Sequence, residues 1–130
     1  MLKNSMFLLT ACMLIGCKND QQVALERFAE ARKNSLLCAY KYADPKDGLK
    51  GLSVQKEKCS TLNEINVSAE AKAKMLGASK AKIEATVDYA VSQAKLIDPV
   101  GAERHKRQFD KILKRFEDAG IDVDAPIEDL

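Results

Sequence analysis

Two cysteines, Cys38 and Cys59, stand on either side of a segment dense in turn formers, Asp44-Pro45-Lys46-Asp47-Gly48-Leu49-Lys50-Gly51. Asp, Pro and Gly each favour chain reversal, for different backbone reasons. The turn lies midway between the cysteines, so in an antiparallel helical hairpin both would sit at the same height. A bond between them would then staple the first two helices together. In the chain-entropy model, closing a loop of about 20 residues stabilises a fold by roughly 3 kcal/mol. Whether the bond can form depends on the compartment, and the N-terminus bears on that.

Residues 1–5 carry one positive charge, Lys3, and Met6 to Ile15 form a mostly apolar run. That is the layout of a secretory signal peptide. The run is far shorter than the roughly 20 residues a bilayer-spanning helix needs, and it ends at the polar segment Lys18-Asn19-Asp20-Gln21-Gln22. Leu14-Ile15-Gly16-Cys17 resembles the lipobox of bacterial lipoproteins. The resemblance covers residues 1–18 and says nothing about the fold beyond them. It implies cleavage before Cys17, a diacylglyceryl group on the Cys17 sulfur, and often an acyl chain on the new amino group.

Leu9-Thr10-Ala11-Cys12 fits the same pattern and stays open as the competing site. Its use would cut the apolar region to about six residues, below the usual 7–15. Anchoring by two or more acyl chains is stable where a single chain is not. Lys18 occupies the position where an aspartate retains well-studied Gram-negative lipoproteins in the inner membrane. For a Gram-negative source, the resemblance therefore implies the periplasmic face of the outer membrane.

The expected organisation is a signal peptide over 1–16, a lipidated N-terminus and short tether over 17–22, a helical domain over 23–119 and an acidic tail over 120–130. Removing residues 1–16 leaves 114 of the 130, enough for one compact domain. Only Lys3 is lost from 21 Lys+Arg, against 19 Asp+Glu, so the mature chain is nearly neutral. That balance gives no general reason to expect nucleic acid as a partner. Cys12 leaves with the signal and Cys17 carries lipid, so Cys38 and Cys59 remain. Export places them in an oxidising space, where a lone pair forms a disulfide. Two cysteines and one distant His105 do not make a four-ligand zinc site.

Helical periodicity runs through the mature chain, and no stretch sustains β-type alternation. A first helix is expected from Gln21 to Tyr42, where Leu25, Phe28, Ala29, Leu36 and Ala39 form a stripe that Asp44-Pro45 ends. A second is expected over Ser53–Leu62, with Ser53 as N-cap. In Ser68–Ile97, the residues Ala69, Ala73, Leu76, Ile83, Val87, Ala90, Val91 and Ala94 share one sector. That suggests a single rod of about 30 residues and 45 Å. Asp98-Pro99 caps and starts a fourth helix, with Phe109, Ile112, Leu113 and Phe116 as its apolar stripe. Gly120 reads as its left-handed stop, with Ile121 folding back. The predicted fold is all-α, a small bundle of about four helices whose first two form a disulfide-stapled hairpin.

No enzyme motif is present: there is no Gly-rich phosphate loop, no H-E-x-x-H and no G-x-S-x-G. His105, the only histidine, lies on the flank of the fourth helix's apolar stripe and reads as a packing residue. Arg104, Arg107, Lys111, Lys114 and Arg115 fall within about 100° of arc on that helix, a stripe that could grip phosphate groups or an acidic partner. It is equally the solvated face any amphipathic helix needs, and Glu103, Asp110 and Glu117 flank it. The last 14 residues after Phe116 carry acids and no base.

The functional expectation is a non-catalytic interaction module, anchored to the membrane and binding another envelope protein. It would be a machine subunit or pilotin, or an immunity or exclusion lipoprotein. No cofactor is expected beyond the acyl chains on Cys17. The alternative is a lipoprotein that binds a lipid or small molecule between its helices.

Overall fold

The computed structural model describes residues 19–122; residues 1–18, where the expected signal peptide and Cys17 fall, and residues 123–130 of the expected tail lie outside them. Among the described residues the chain is all-helical, with five helices rather than about four. They are α1 (Asp20–Lys41), α2 (Gly48–Lys58), α3 (Ser60–Met75), α4 (Lys80–Ile97) and α5 (Pro99–Asp118).

α1 begins within the stretch read as tether, because Asn19 caps it by accepting the Gln22 N–H at 2.7 Å. It ends just before Asp44-Pro45, as expected. The Asp44 carboxylate then accepts the Asp47 N–H at 3.1 Å and the Lys46 N–H at 2.9 Å. Those two bonds, Asp47's first, hold its pKa below the usual carboxylate value.

The second helix was expected to start at Ser53. It starts at Gly48 instead, capped by Asp47, which accepts the Lys50 N–H at 3.1 Å. Gly48 and Gly51 had been read as turn residues, and both are helical. Their role is close approach to α5. A Cβ on Gly48 would meet Ile112 Cγ1 at 2.7 Å, and one on Gly51 would meet Gln108 Oε1 at 2.7 Å.

The long rod expected over Ser68–Ile97 is two helices. Gly77, at φ +90°, ends α3 in a Schellman turn. Its N–H donates to Lys74 O at 3.0 Å, and the Ala78 N–H donates to Ala73 O at 3.0 Å. Ser79 caps α4 at once by accepting the Lys82 N–H at 3.2 Å. The fifth helix begins and ends as expected. Asp98 accepts the Gly101 N–H at 2.8 Å, Pro99 opens the first turn, and Gly120 at φ +78° lets the Ile121 N–H reach Phe116 O at 2.8 Å.

α1 is the central rod of one half. Gln21 Nε2 donates to Leu76 O at 3.0 Å, and Ser35 Oγ bonds Asn63, so α3 runs antiparallel to α1. Lys82 Nζ donates to Gln21 Oε1 at 2.9 Å, which sets the start of α4 beside the start of α1. Between the three lie Ala24, Phe28, Ala73 and Ile83, with Leu25, Ala69, Ala78 and Val87 packed against them. Ala31, Ala90 and Ala94 continue the seam. Small side chains let the helix axes close to the short end of the usual 8–10 Å. The rod of α1, 22 residues, separates Asn19 from the far end by about 33 Å.

At that far end α2 and α5 cross as an antiparallel pair, with Gly48 against Ile112 and Gly51 against Gln108. The predicted disulfide is present: Cys38 in the last turns of α1 bonds Cys59 at the α2–α3 junction, with Cα atoms 5.9 Å apart. The packing partner differs from the hairpin expectation. α1 lies along α3, the helix after Cys59, while α2 turns away to meet α5. The bond therefore ties α1 to a corner.

Candidate interaction surface

The α2–α5 pair is held by a buried polar clamp. Gln108, fully buried, donates from Nε2 to Gln55 Oε1 at 2.9 Å and accepts the Asp44 N–H at 2.7 Å. Gln55 in turn donates to Ala39 O at 2.7 Å. Arg104 Nη2 donates to Tyr40 O at 2.9 Å, and Gly101 sits so close that a Cβ there would meet Tyr40 Cβ at 2.8 Å. The inward face of α5 is thus centred on Gly101, Arg104, Gln108 and Ile112.

That orientation overturns the expected core stripe. Of Phe109, Ile112, Leu113 and Phe116, only Ile112 is buried; Phe109 is 40% exposed, Leu113 43% and Phe116 37%. The polar clamp and the glycine contacts rotate α5 by a fraction of a turn, so its apolar line points sideways into solvent. The N-terminal end of that line runs into an open trough of about 540 Å³ between α1, α4 and α5. Leu36, Tyr40, Val91, Pro99, Ala102 and His105 line it, with Lys95, Glu103 and Lys106 also among its walls. His105 is a packing residue there. Its ring lies 5.2 Å from Tyr40 and 4.7 Å from Phe109, and burial lowers its pKa from 6.5. Burial, followed by the Asp98 charge, raises the Tyr40 pKa above 10.0.

The five cations singled out on this helix divide. Arg104 is partly buried on the Tyr40 carbonyl and serves the fold, whereas Arg107, Lys111, Lys114 and Arg115 are exposed. Lys111, Lys114 and Arg115 share a second cleft, of about 440 Å³, with Lys46, Asp47 and Asp118. Lys46 had not been singled out, because only the α2–α5 crossing brings its loop to α5. Cys17, the expected lipidation site, and the residues of the expected tail beyond Asp122 lie outside the described residues.

Among the described residues no group of three or more His, Cys, Asp or Glu could hold a metal ion. No described helix is long and apolar enough to cross a membrane. Compared with protein-family models, curated proteins and solved structures, the chain matches none.

Proposed function

We propose that this chain is a lipoprotein anchored through acyl chains on Cys17, at the periplasmic face of the outer membrane in a Gram-negative source. Its helical domain acts as a non-catalytic interaction module for another envelope protein. A machine subunit or pilotin, and an immunity or exclusion lipoprotein, are the roles within that class.

The observation that carries this reading is the uncovered line Phe109–Leu113–Phe116 on α5. Single exposed apolar residues are ordinary, but a contiguous line is a patch. Water contact with it forfeits roughly 25 cal/mol for each Å² that a partner could cover. The line also sits on the helix pair about 33 Å of α1 away from the anchored end, where a partner has access.

A photo-cross-linking side chain placed at Leu113 of the full chain, in cells, should give a discrete protein adduct. The same group at exposed Glu57 should give none. No adduct at Leu113, or the same smear from both positions, would overturn the reading. In parallel, Cys17→Ser should release the chain from the membrane fraction and abolish palmitate labelling. The alternative, a lipid or small-molecule carrier, draws on the trough beside Tyr40, whose volume of about 540 Å³ suits a small ligand. Mass spectrometry of a solvent extract of purified protein would reveal a stoichiometric small molecule if that reading held.

A further inference from the structure

We infer that the turn between α3 and α4 docks on the bilayer that holds the Cys17 lipid, with Met75 and Leu76 inserted among the headgroups. This deepens the lipoprotein reading and rests on it. Met75 is 86% exposed and its neighbour Leu76 is 38% exposed, side by side where the chain reverses. The turn stands beside the start of α1. Gln21 Nε2 donates to Leu76 O at 3.0 Å, and Lys82 Nζ donates to Gln21 Oε1 at 2.9 Å. A Cβ on Gly77 would lie 3.4 Å from Gln21 Nε2. The bonds from Ser35 to Asn63 and from Gln21 to Leu76 share one antiparallel register, which sets the residues just after Gly77 opposite Asn19.

The anchor says what lies against this turn. The two residues from Cys17 to Asn19 span at most about 7 Å. An acylated Cys17 sits at the bilayer surface and brings that surface to the start of α1, and so to Met75. A folded protein wedged between the turn and the lipid would need a gap of at least one helix diameter, about 10–12 Å. The tether is shorter than that. The apolar line of α5 lies beyond the far end of α1, out of reach of the same surface.

Charge agrees with a lipid occupant without having to select it. Residues 72–82 carry Lys72, Lys74, Lys80 and Lys82, all exposed, and no acid. Glu70 and Glu84 lie one turn behind, paired with Lys74 at 3.6 Å and Lys80 at 3.9 Å. Asp20 adds a negative charge at the start of α1, and Lys18 offsets it. This end of the domain is therefore weakly positive and meets no repulsion from phosphate headgroups. Long lysine stems let the ammonium groups stay at the phosphates while Met75 and Leu76 reach deeper. Acyl chains and turn together make a two-point attachment, which stands α1 off the membrane and presents α5 away from it.

The test places the full-length lipidated protein in vesicles of phosphatidylcholine and phosphatidylglycerol. An environment-sensitive fluorophore is attached at Ala81→Cys, beside the turn, or at Glu57→Cys, on exposed α2. With Cys38 and Cys59 bonded to each other, the introduced thiol takes the label. Emission from position 81 should shift to the blue and be quenched by lipids spin-labelled near their headgroups, and position 57 should show neither effect. Met75→Asp should abolish the quenching at 81 while leaving the circular dichroism spectrum and membrane attachment unchanged. Water-like emission at 81, equal quenching at both positions, or quenching that survives Met75→Asp would overturn the proposal. So would a discrete protein adduct in cells from a photo-cross-linking side chain at Met75. Palmitate labelling of Cys17 is read on the same protein. Labelled protein with a water-exposed turn removes the docking and leaves the lipoprotein standing, whereas unlabelled protein removes both.

Discussion

The two ends of this molecule are built on opposite principles. The half formed by α1, α3 and α4 is mainly apolar, with Phe28 enclosed by alanines and aliphatic side chains and the buried Asn66 Oδ1 making no hydrogen bond to hold the helices. The half formed by α2 and α5 is joined through Gln108, Gln55 and two glycine contacts, with Ile112 as the only buried large apolar side chain on α5. Non-directional burial tolerates small rotations of a helix, whereas a hydrogen bond does not. The contrast explains the surface. The first half buries one seam of small and aliphatic side chains while leaving Leu76 and Met75 exposed, and the second fixes α5 by its polar bonds and leaves Phe109, Leu113 and Phe116 outside.

Three measurements would break or sharpen that contrast. The largest effect should come from Phe28→Ala in the apolar half. Emptying a fully buried aromatic site should lower unfolding stability by about 3–5 kcal/mol, read by urea denaturation. That is a large fraction of the roughly 5–15 kcal/mol of a typical domain, so the variant should be close to unfolding. A loss below about 1 kcal/mol would mean the alanine seam is not the principal core.

A smaller and more local effect is expected from Gln108→Ala. It strands Gln55 Oε1 and the Asp44 N–H, each about 1–3 kcal/mol to leave unsatisfied when buried. Amide exchange should quicken in α2 and α5 and stay slow around Phe28, because sub-global opening follows the cooperative unit that was damaged. Uniform loss of protection along the chain would show that the two halves are one unit.

The smallest effect concerns His105. Burial disfavours its charged form, so the folded state holds its proton less tightly than the unfolded chain does. Stability from this group is therefore fully present above 6.5 and declines as the pH falls below it, toward the depressed folded value. His105→Gln should flatten that part of the stability–pH curve. An unchanged slope would mean that the ring is as hydrated as in the unfolded chain, and that the trough beside Tyr40 is wetter than its lining suggests.

Much of the fold was legible because its signals are local. Asp44-Pro45 stops α1, Asp98-Pro99 starts α5 and Gly120 ends it, each through backbone chemistry that needs no distant partner. The Gly77–Ser79 break was also written locally, as a left-handed glycine followed by an N-cap serine. The apolar sector nevertheless runs on through it: α3 and α4 both face α1, so one periodicity serves two antiparallel helices. The start of α2 is hidden in the sequence for a different reason. Gly48 and Gly51 look like turn residues in sequence, and only Ile112 and Gln108, some 57–64 positions away in the chain, reveal that they are contact residues.

What the sequence determined by itself is the helical class, the end of α1 and both ends of α5, and the pairing of Cys38 with Cys59. Those follow from residues acting on their own backbone, or from two thiols left as the pair beyond Cys12 and Cys17. What only tertiary structure decided is which side of each helix is covered. The apolar line of α5 is plain from its spacing, yet its fate depends on where Gln108, Gly101 and Arg104 lock the helix against α1 and α2. Amphipathicity says that a face seeks burial; the geometry of neighbours says whether anything in this chain is there to bury it.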